Sequence, residues 1–425
     1  MTKFRFIDNW NSPADIINNP LDFQRKVDGR STYTYKNGEL ILKKTLRKTD
    51  FITETTKSLF RNSNFITLDI ETRTLEDGTM VPYCVCMCIP STFEQNQFKI
   101  PELRQVSFYL EDFEDYDHML KEAIIYLMKP KYSGFKIFIH NFSYFDGIFF
   151  MKIITALSHK IRPIIRDSQI IELKTYFGKN DMYSISFRDS FLLLPSSLKS
   201  LCQTFNVPQK KTLFPYNFSN KVVLKYKGTI PKITEFPKNV TPEEYDNYSK
   251  QWAKGEAWSL RDETIKYCIN DCVSLYQILS RFSLEIFQSY DYDLMKSPTL
   301  PSLDLGIFRS NFLDTSKMKL PSITGNTYND LVKGYTGGHV DVYIPISSEG
   351  EKVFQYDINS LYPYAMVDKA MPVGHPTYFE GNIINIDPSA FGFFYCKIHA
   401  PIDINNPILL TKAENGSTRA PVGTW

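Results

Sequence analysis

Hydrophobic and polar positions alternate most sharply between residues 65 and 71. Ile66, Leu68 and Ile70 fall on one side, and Phe65, Thr67, Asp69 and Glu71 on the other. A period of two predicts a strand. A second strand is predicted over about 81–89, and a mixed helical stretch near 112–128. A short apolar strand from Phe135 to Ile139 then leads through a polar turn into an apolar helix from about Gly147 to Leu157. Further strands are predicted near 163–174 and 182–188, before Pro195 breaks the pattern. Thr241 and Glu244 have capping-box spacing with Pro242 between them, so a helix begins near 241. A longer helix is predicted from about Leu260 to Gln288. This alternation argues for an α/β domain over 61–290. Residues 1–60 are weakly periodic and read as an N-terminal extension. The loop-rich stretch after 290 marks a domain change, and a strand over 352–357 runs into a helix at about 360–367 within a last region, 291–425.

Composition narrows the class. A chain of 425 residues calls for two or three domains. With 43% hydrophobic and 23% charged residues it is a folding chain, not a disordered one. The net charge of +2 neither demands nor excludes nucleic acid, which needs a local basic groove only. No apolar run reaches membrane-spanning length, and the N-terminus lacks the apolar core of a secretion signal. No membrane partner is therefore expected, and the protein should act where it is made. Seven cysteines are an odd number, so a full disulfide framework is not expected. Cys84, Cys86 and Cys88 share one strand face. Without a C-x-x-C pair they read as small apolar residues and not as a zinc site.

The candidate chemistry lies in carboxylates. Asp69 and Glu71, two apart on a strand, project from one face. Asp146 stands in His140-Asn141-Phe142-Ser143-Tyr144-Phe145-Asp146-Gly147, between the apolar strand and the apolar helix; a helix cap is the plain alternative. Tyr267 and Asp271 are four apart, hence on one face of the long helix, and an acid among Ile265, Ile269 and Cys272 is costly to bury alone. Asp69, Glu71, Asp146 and Asp271 could together hold two divalent ions, which clamp the attacking and leaving oxygens of a phosphodiester. Hard oxygen ligands suit Mg²⁺ or Mn²⁺. A Tyr hydroxyl beside them can orient water.

In this order the segments resemble the three exonuclease motifs of proofreading DNA polymerases, and most closely those of protein-primed family B enzymes of phages and linear plasmids. The resemblance implies a ribonuclease H-like 3′–5′ exonuclease domain with two Mg²⁺ (or Mn²⁺) per site, followed by a partial family B palm domain. It assigns Asn141 and Phe145 to the frayed primer end. The family's single-stranded DNA segment matches in one of two registers, Ser190-Phe191 or Ser197-Leu198. Its Lys-x-x-hydrophobic motif falls on Lys211, with Lys210 as the alternative. Tyr335-Thr336-Gly337-Gly338 resembles the YxGG segment that contacts template. Asp357-Ile358-Asn359-Ser360-Leu361-Tyr362-Pro363 resembles the first polymerase motif. It implies Asp357 as a catalytic metal ligand and Ser360, Leu361 and Tyr362 around the incoming nucleotide.

The resemblance also implies partners: a single-stranded 3′ end, primer-template DNA, dNTP and a terminal protein as primer. It implies the mitochondrion as location, with a phage-encoded protein in bacterial cytoplasm as the alternative. The sequence holds no K-x-x-x-N-S-x-Y-G and no D-T-D string, so the polymerase domain is expected to be incomplete. Two other readings stay open, a stand-alone exonuclease of the same carboxylate type and an inactive DNA-binding remnant.

Overall fold

A computed structural model describes the chain except for residues 1–22, 29–30, 37–38, 47–49, 93–99, 209–212, 253–254, 339, 341, 343, 370, 372–374, 384–386 and 414–416. Near its start lie β1 (Phe23–Asp28), β2 (Ser31–Lys36), β3 (Glu39–Leu46) and the two-residue β4 (Asp50–Phe51). The first three form an antiparallel meander. Residues 55–313 then make one compact unit; residues 1–54 and 314–425 make the other.

The alternation at 65–71 becomes β5 (Phe65–Thr74), paired antiparallel with β6 (Met80–Pro90), which pairs with β7 (Leu103–Tyr109). On the other side of β5 runs β8 (Lys136–Ile139), parallel to it. Residues 160–177 are not the single strand expected over 163–174. They form a hairpin of β9 (Lys160–Arg166) and β10 (Gln169–Phe177), turned by Asp167 and Ser168 at φ 48° and 64°. Two consecutive left-handed residues give the turn whose twist matches a hairpin. With β11 (Tyr183–Asp189), parallel to β8, the sheet has the order β7-β6-β5-β8-β11-β10-β9.

The two faces are covered differently. α1 (Tyr116–Leu127), started by the Asp115 carboxylate accepting from His118 N, and α2 (Asp146–Leu157) lie over the face that carries Ile66, Leu68 and Ile70. Burying each such side chain is worth about 1.5–3 kcal/mol. The chain then passes through α3 (Leu198–Thr204), α4 (Tyr216–Ser219) and α5 (Pro242–Ser249). The capping box forms as its spacing predicts: Glu244 N donates to Thr241 Oγ1 and Thr241 N to Glu244 Oε2. α6 (Leu260–Tyr290) crosses the opposite face, where Thr67 Oγ1 donates to the Cys272 carbonyl at 2.8 Å. Asp291, left-handed at φ 50°, ends it.

The unit does not stop at 290. Tyr292, Leu294, Met295 and, on α7 (Leu300–Asn311), Leu303 join Phe65, Phe138 and Tyr276 in one cluster, with the Phe65 and Tyr276 rings stacked at 4.4 Å. Tyr292 to Met295 and α7 therefore belong to this unit.

In the other unit, Thr377–Glu380 adds antiparallel to β3, and Pro321–Ser322 pairs with β4. The N-terminal stretch is therefore a structural partner of the C-terminal residues. α8 (Gly325–Lys333) and α9 (Leu361–Asp368) follow. The strand expected over 352–357 does not form. Val353, Phe354 and Tyr356 are exposed, and no strand among the described residues runs beside them to take up their backbone hydrogen bonds. Among the described residues no helix is long and apolar enough to cross a membrane.

Candidate active site

β5 and α6 bring the first acids together. Asp69 and Glu71 lie on the α6-facing side of β5, and Tyr267 and Asp271 sit one turn apart on α6. The third contribution comes from residues 140–146, between β8 and α2. Asn141 is left-handed at φ 70°, and Asp146 is the first residue of α2, not its cap, which falls on Phe145. Gly147 is required here, because a Cβ would stand 2.6 Å from the Phe142 carbonyl oxygen.

One buried carboxylate fixes this loop. Asp189, at the end of β11, accepts from the backbone N–H of Asn141, Ser143 and Phe191, each at 2.9 Å. Charge-assisted bonds of this kind are about twice as strong as neutral ones.

The result is a cleft of about 170 Å³ lined by Asp69, Glu71, Asn141, Phe145, Asp146, Tyr267 and Asp271, together with Ile70, His140 and Tyr216. Glu71, Asp146 and Asp271 are buried, Asp69 and Phe145 half-buried. Burial, reinforced by the negative charge of Asp189, pushes the Asp146 carboxyl up to about 7. Burial and then the Asp271 carboxylate drive the Tyr267 phenol far above its usual range, so it stays a proton donor. Tyr216 and Tyr267 are joined hydroxyl to hydroxyl at 2.6 Å.

The donor set fits a divalent metal. Ligand atoms of Asp69 and Glu71, with the Cys268 sulfur, lie within 4.8 Å of one another, and the other two acids line the same cleft. Closely gathered, largely buried acids are unfavourable until a cation neutralises them.

Phe145 packs edge-on to Phe149 at 5.9 Å and leaves the core position to Phe142, which is fully buried. The two registers expected for the single-stranded DNA segment differ in exposure. Ser190 is fully buried, with its hydroxyl 3.0 Å from His140 Nδ1 and 3.3 Å from the Ile139 carbonyl. It has no surface to offer a strand, although the half-buried Phe191 beside it does. Ser197 is exposed and caps α3 by accepting from Ser200 N, followed by half-buried Leu198. Lys211 and its alternative Lys210 lie outside the described residues.

In the other unit, Gly338 lies against Tyr362: a Cβ there would stand 2.6 Å from the Tyr362 hydroxyl. The YxGG segment and the D-x-x-S-L-Y-P segment thus meet. Asp357, Ser360, Leu361, Tyr362, Tyr335 and Gly337 are all exposed, and Ser360, at φ 55°, precedes α9.

Asp189 and Tyr216 are the site-building residues that sequence reasoning passed over. Asp189 carried one local signal, an acid two residues before the N–H it binds. Tyr216 carried none.

The family model described as DNA polymerase type B, organellar and viral, matches residues 125–425. A probable DNA polymerase of Ascobolus immersus is 34% identical, over 96% of this chain and 33% of its own length. One of Neurospora intermedia is 33% identical, over 92% of this chain and 42% of its own. The chain thus spans a third to two-fifths of the length of these relatives. Among solved structures, phi29 DNA polymerase complexed with single-stranded DNA aligns at a TM-score of 0.41 and 16% identity, over 65% of this chain and 40% of that one.

Proposed function

Because this chain belongs to the organellar and viral family of type B DNA polymerases, we propose that residues 55–313 are the 3′–5′ exonuclease of such an enzyme, of ribonuclease H-like fold, and that Asp357 to Pro363 belong to its polymerase site. One observation carries the exonuclease reading: Asp69, Glu71, Asp146, Asp271 and Tyr267, from three separate segments, line one cleft together with Asn141 and Phe145.

The carboxylates of Asp69, Glu71, Asp146 and Asp271 would hold two Mg²⁺ or Mn²⁺ ions, which supply charge stabilisation at the attacking and leaving oxygens of the phosphodiester. Phe145 offers a stacking face to the terminal base and Asn141 donors and acceptors to its edge. Tyr267, kept protonated, orients the water for attack, and the Tyr216 hydroxyl fixes the direction of the Tyr267 hydroxyl. Ser197-Leu198 and Phe191 guide the single strand, with Lys211 as a further contact to it.

In the polymerase region Asp357 acts as a metal ligand, Tyr335, Gly337 and Gly338 approach the template, and Ser360, Leu361 and Tyr362 surround the dNTP. The contact of Gly338 with Tyr362 supports this over a stand-alone nuclease, which has no use for either segment. The full enzyme would replicate DNA from a terminal-protein primer, on a linear plasmid in the mitochondrion. The fungal sources of the relatives and the organellar character of the family support that setting.

The test is single-stranded DNA labelled at its 5′ end, incubated with the purified chain and Mg²⁺ or Mn²⁺. A ladder shortening from the 3′ end, abolished by chelator, is expected. DNA left intact with both metals, or the label released first as a mononucleotide, would overturn the reading.

A further inference from the structure

Five of the seven cysteines gather behind the cleft. Cys84, Cys86 and Cys88 lie on the α6-facing side of β6, and Cys268 and Cys272 one turn apart on α6; all five are fully buried. The Cys84 and Cys86 sulfurs are 3.7 Å apart, and those of Cys84, Cys86 and Cys268 all lie within 4.8 Å of one another. Pairing of β5 with β6 sets Asp69 opposite Cys86 and Glu71 opposite Cys84. The Cys268 sulfur is also within 4.8 Å of a carboxylate oxygen of each acid. Cys268 therefore belongs at once to a thiol triplet and to the carboxylate pair.

The 3.7 Å between the Cys84 and Cys86 sulfurs is that of a metal site. Tetrahedral thiolate ligands at about 2.3 Å from zinc stand about 3.8 Å from each other. Soft sulfur selects soft cations, whereas Mg²⁺ keeps to oxygen. The missing C-x-x-C pair, which argued against zinc in the sequence, concerns ligands from one short segment. Here two ligands come from alternate positions of a strand and the third from a helix packed on it. Packing of small apolar residues accounts for buried cysteines, but it does not require one of them to reach the acids of the cleft.

We propose that Cys84, Cys86 and Cys268 form a thiolate site for a soft divalent cation of the Zn²⁺ or Cd²⁺ class. Each thiol gives up its proton to solvent as it ligates. The Cys268 sulfur adjoins two carboxylates that line the cleft, the side from which an ion would approach. Its binding does not depend on the nuclease reading.

The reduced, metal-free full chain is titrated with Cd²⁺ in excess Mg²⁺, following thiolate-to-cadmium charge-transfer absorbance. A saturable rise that ends at one equivalent is expected. Cys396→Ser, at the exposed cysteine, should leave it unchanged. Cys84→Ala and Cys268→Ala, which keep a small apolar side chain, should each weaken binding at least about tenfold. Cadmium NMR of the unsubstituted chain needs no variant and should report a sulfur-rich ligand set. No saturable rise, a resonance typical of oxygen ligands alone, or an unaltered titration for Cys268→Ala would overturn the proposal.

Discussion

Asp69 and Asp357 each open a stretch that resembles a metal-binding motif, in surroundings that could hardly differ more. Around Asp69 the sheet, α2 and α6 close a core, and three further acids and a buried tyrosine converge on its cleft. Around Asp357 the neighbours Tyr356, Ile358, Leu361 and Tyr362 are all exposed. Among the described residues, the groups of three ligating side chains lie only in the unit of residues 55–313. The contrast runs against the specificity of the strings. D-x-x-S-L-Y-P is by far the more distinctive pattern, whereas D-x-E recurs by chance in chains of this size. A motif names a candidate residue, but a site needs partners carried in by other elements of a closed core.

The largest test removes the partners of the cleft. Asp69→Ala with Glu71→Ala should lower hydrolysis by about a thousandfold or more, since the charge stabilisation lost with the metal is worth several kcal/mol. Single-strand binding by gel shift should largely survive. Hydrolysis at the parental rate would dissolve the comparison, because the Asp69 and Glu71 pair would then be no more of a working site than Asp357.

Asp189→Asn attacks the bracket instead of the cleft. An amide cannot accept all three N–H groups, and hydrogen bonds to a charge are worth about 1.5–3 kcal/mol each, with incomplete additivity. Roughly 3 kcal/mol of stability should be lost in urea unfolding followed through buried Trp258. An unchanged unfolding midpoint would mean that the loop is held some other way.

Phe145→Ala should weaken single-strand affinity by about 1–3 kcal/mol through lost stacking, with stability little altered. If instead stability falls and affinity holds, Phe145 is a packing residue. Tyr216→Phe removes one hydroxyl, so a loss of about 1 kcal/mol is expected, read as a several-fold drop in the hydrolysis rate at saturating DNA. A rise in KM alone would make Tyr216 a binding residue.

Much of the unit of residues 55–313 was legible because its signals are local. Alternation marked β5, and the box at Thr241 and Glu244 marked α5. The acids chosen from the sequence, with Tyr267, do line one cleft. The misses are where structure depends on distant residues. Asp167 and Ser168 turn a hairpin without a glycine to announce it. Asp189 matters only through N–H groups that the fold brings to it, and β3 finds its partner at Thr377–Glu380, more than 300 residues away. The thiol triplet was hidden for the same reason: its third member stands on a helix read separately from the strand.

The smallest expected effect is that of Asp357→Ala, and it tests the other side of the comparison. Hydrolysis should stay within about twofold of the parent, because every ligand assigned to the cleft lies in residues 55–313 and removing an exposed carboxylate costs almost nothing in stability. Primer extension by the 425-residue chain should be undetectable in parent and variant alike. Nucleotide addition needs carboxylates that hold two metals between the primer hydroxyl and the triphosphate. Among the described residues, no group of three His, Cys, Asp or Glu side chains with ligand atoms gathered within 4.8 Å includes Asp357. Running both assays on one preparation separates the two halves. Templated extension by the parent, lost in Asp357→Ala, would mean that the exposed motif gathers a ligand when DNA binds, and exposure would then say nothing about competence. A loss of hydrolysis in Asp357→Ala would mean that the two units do not work independently.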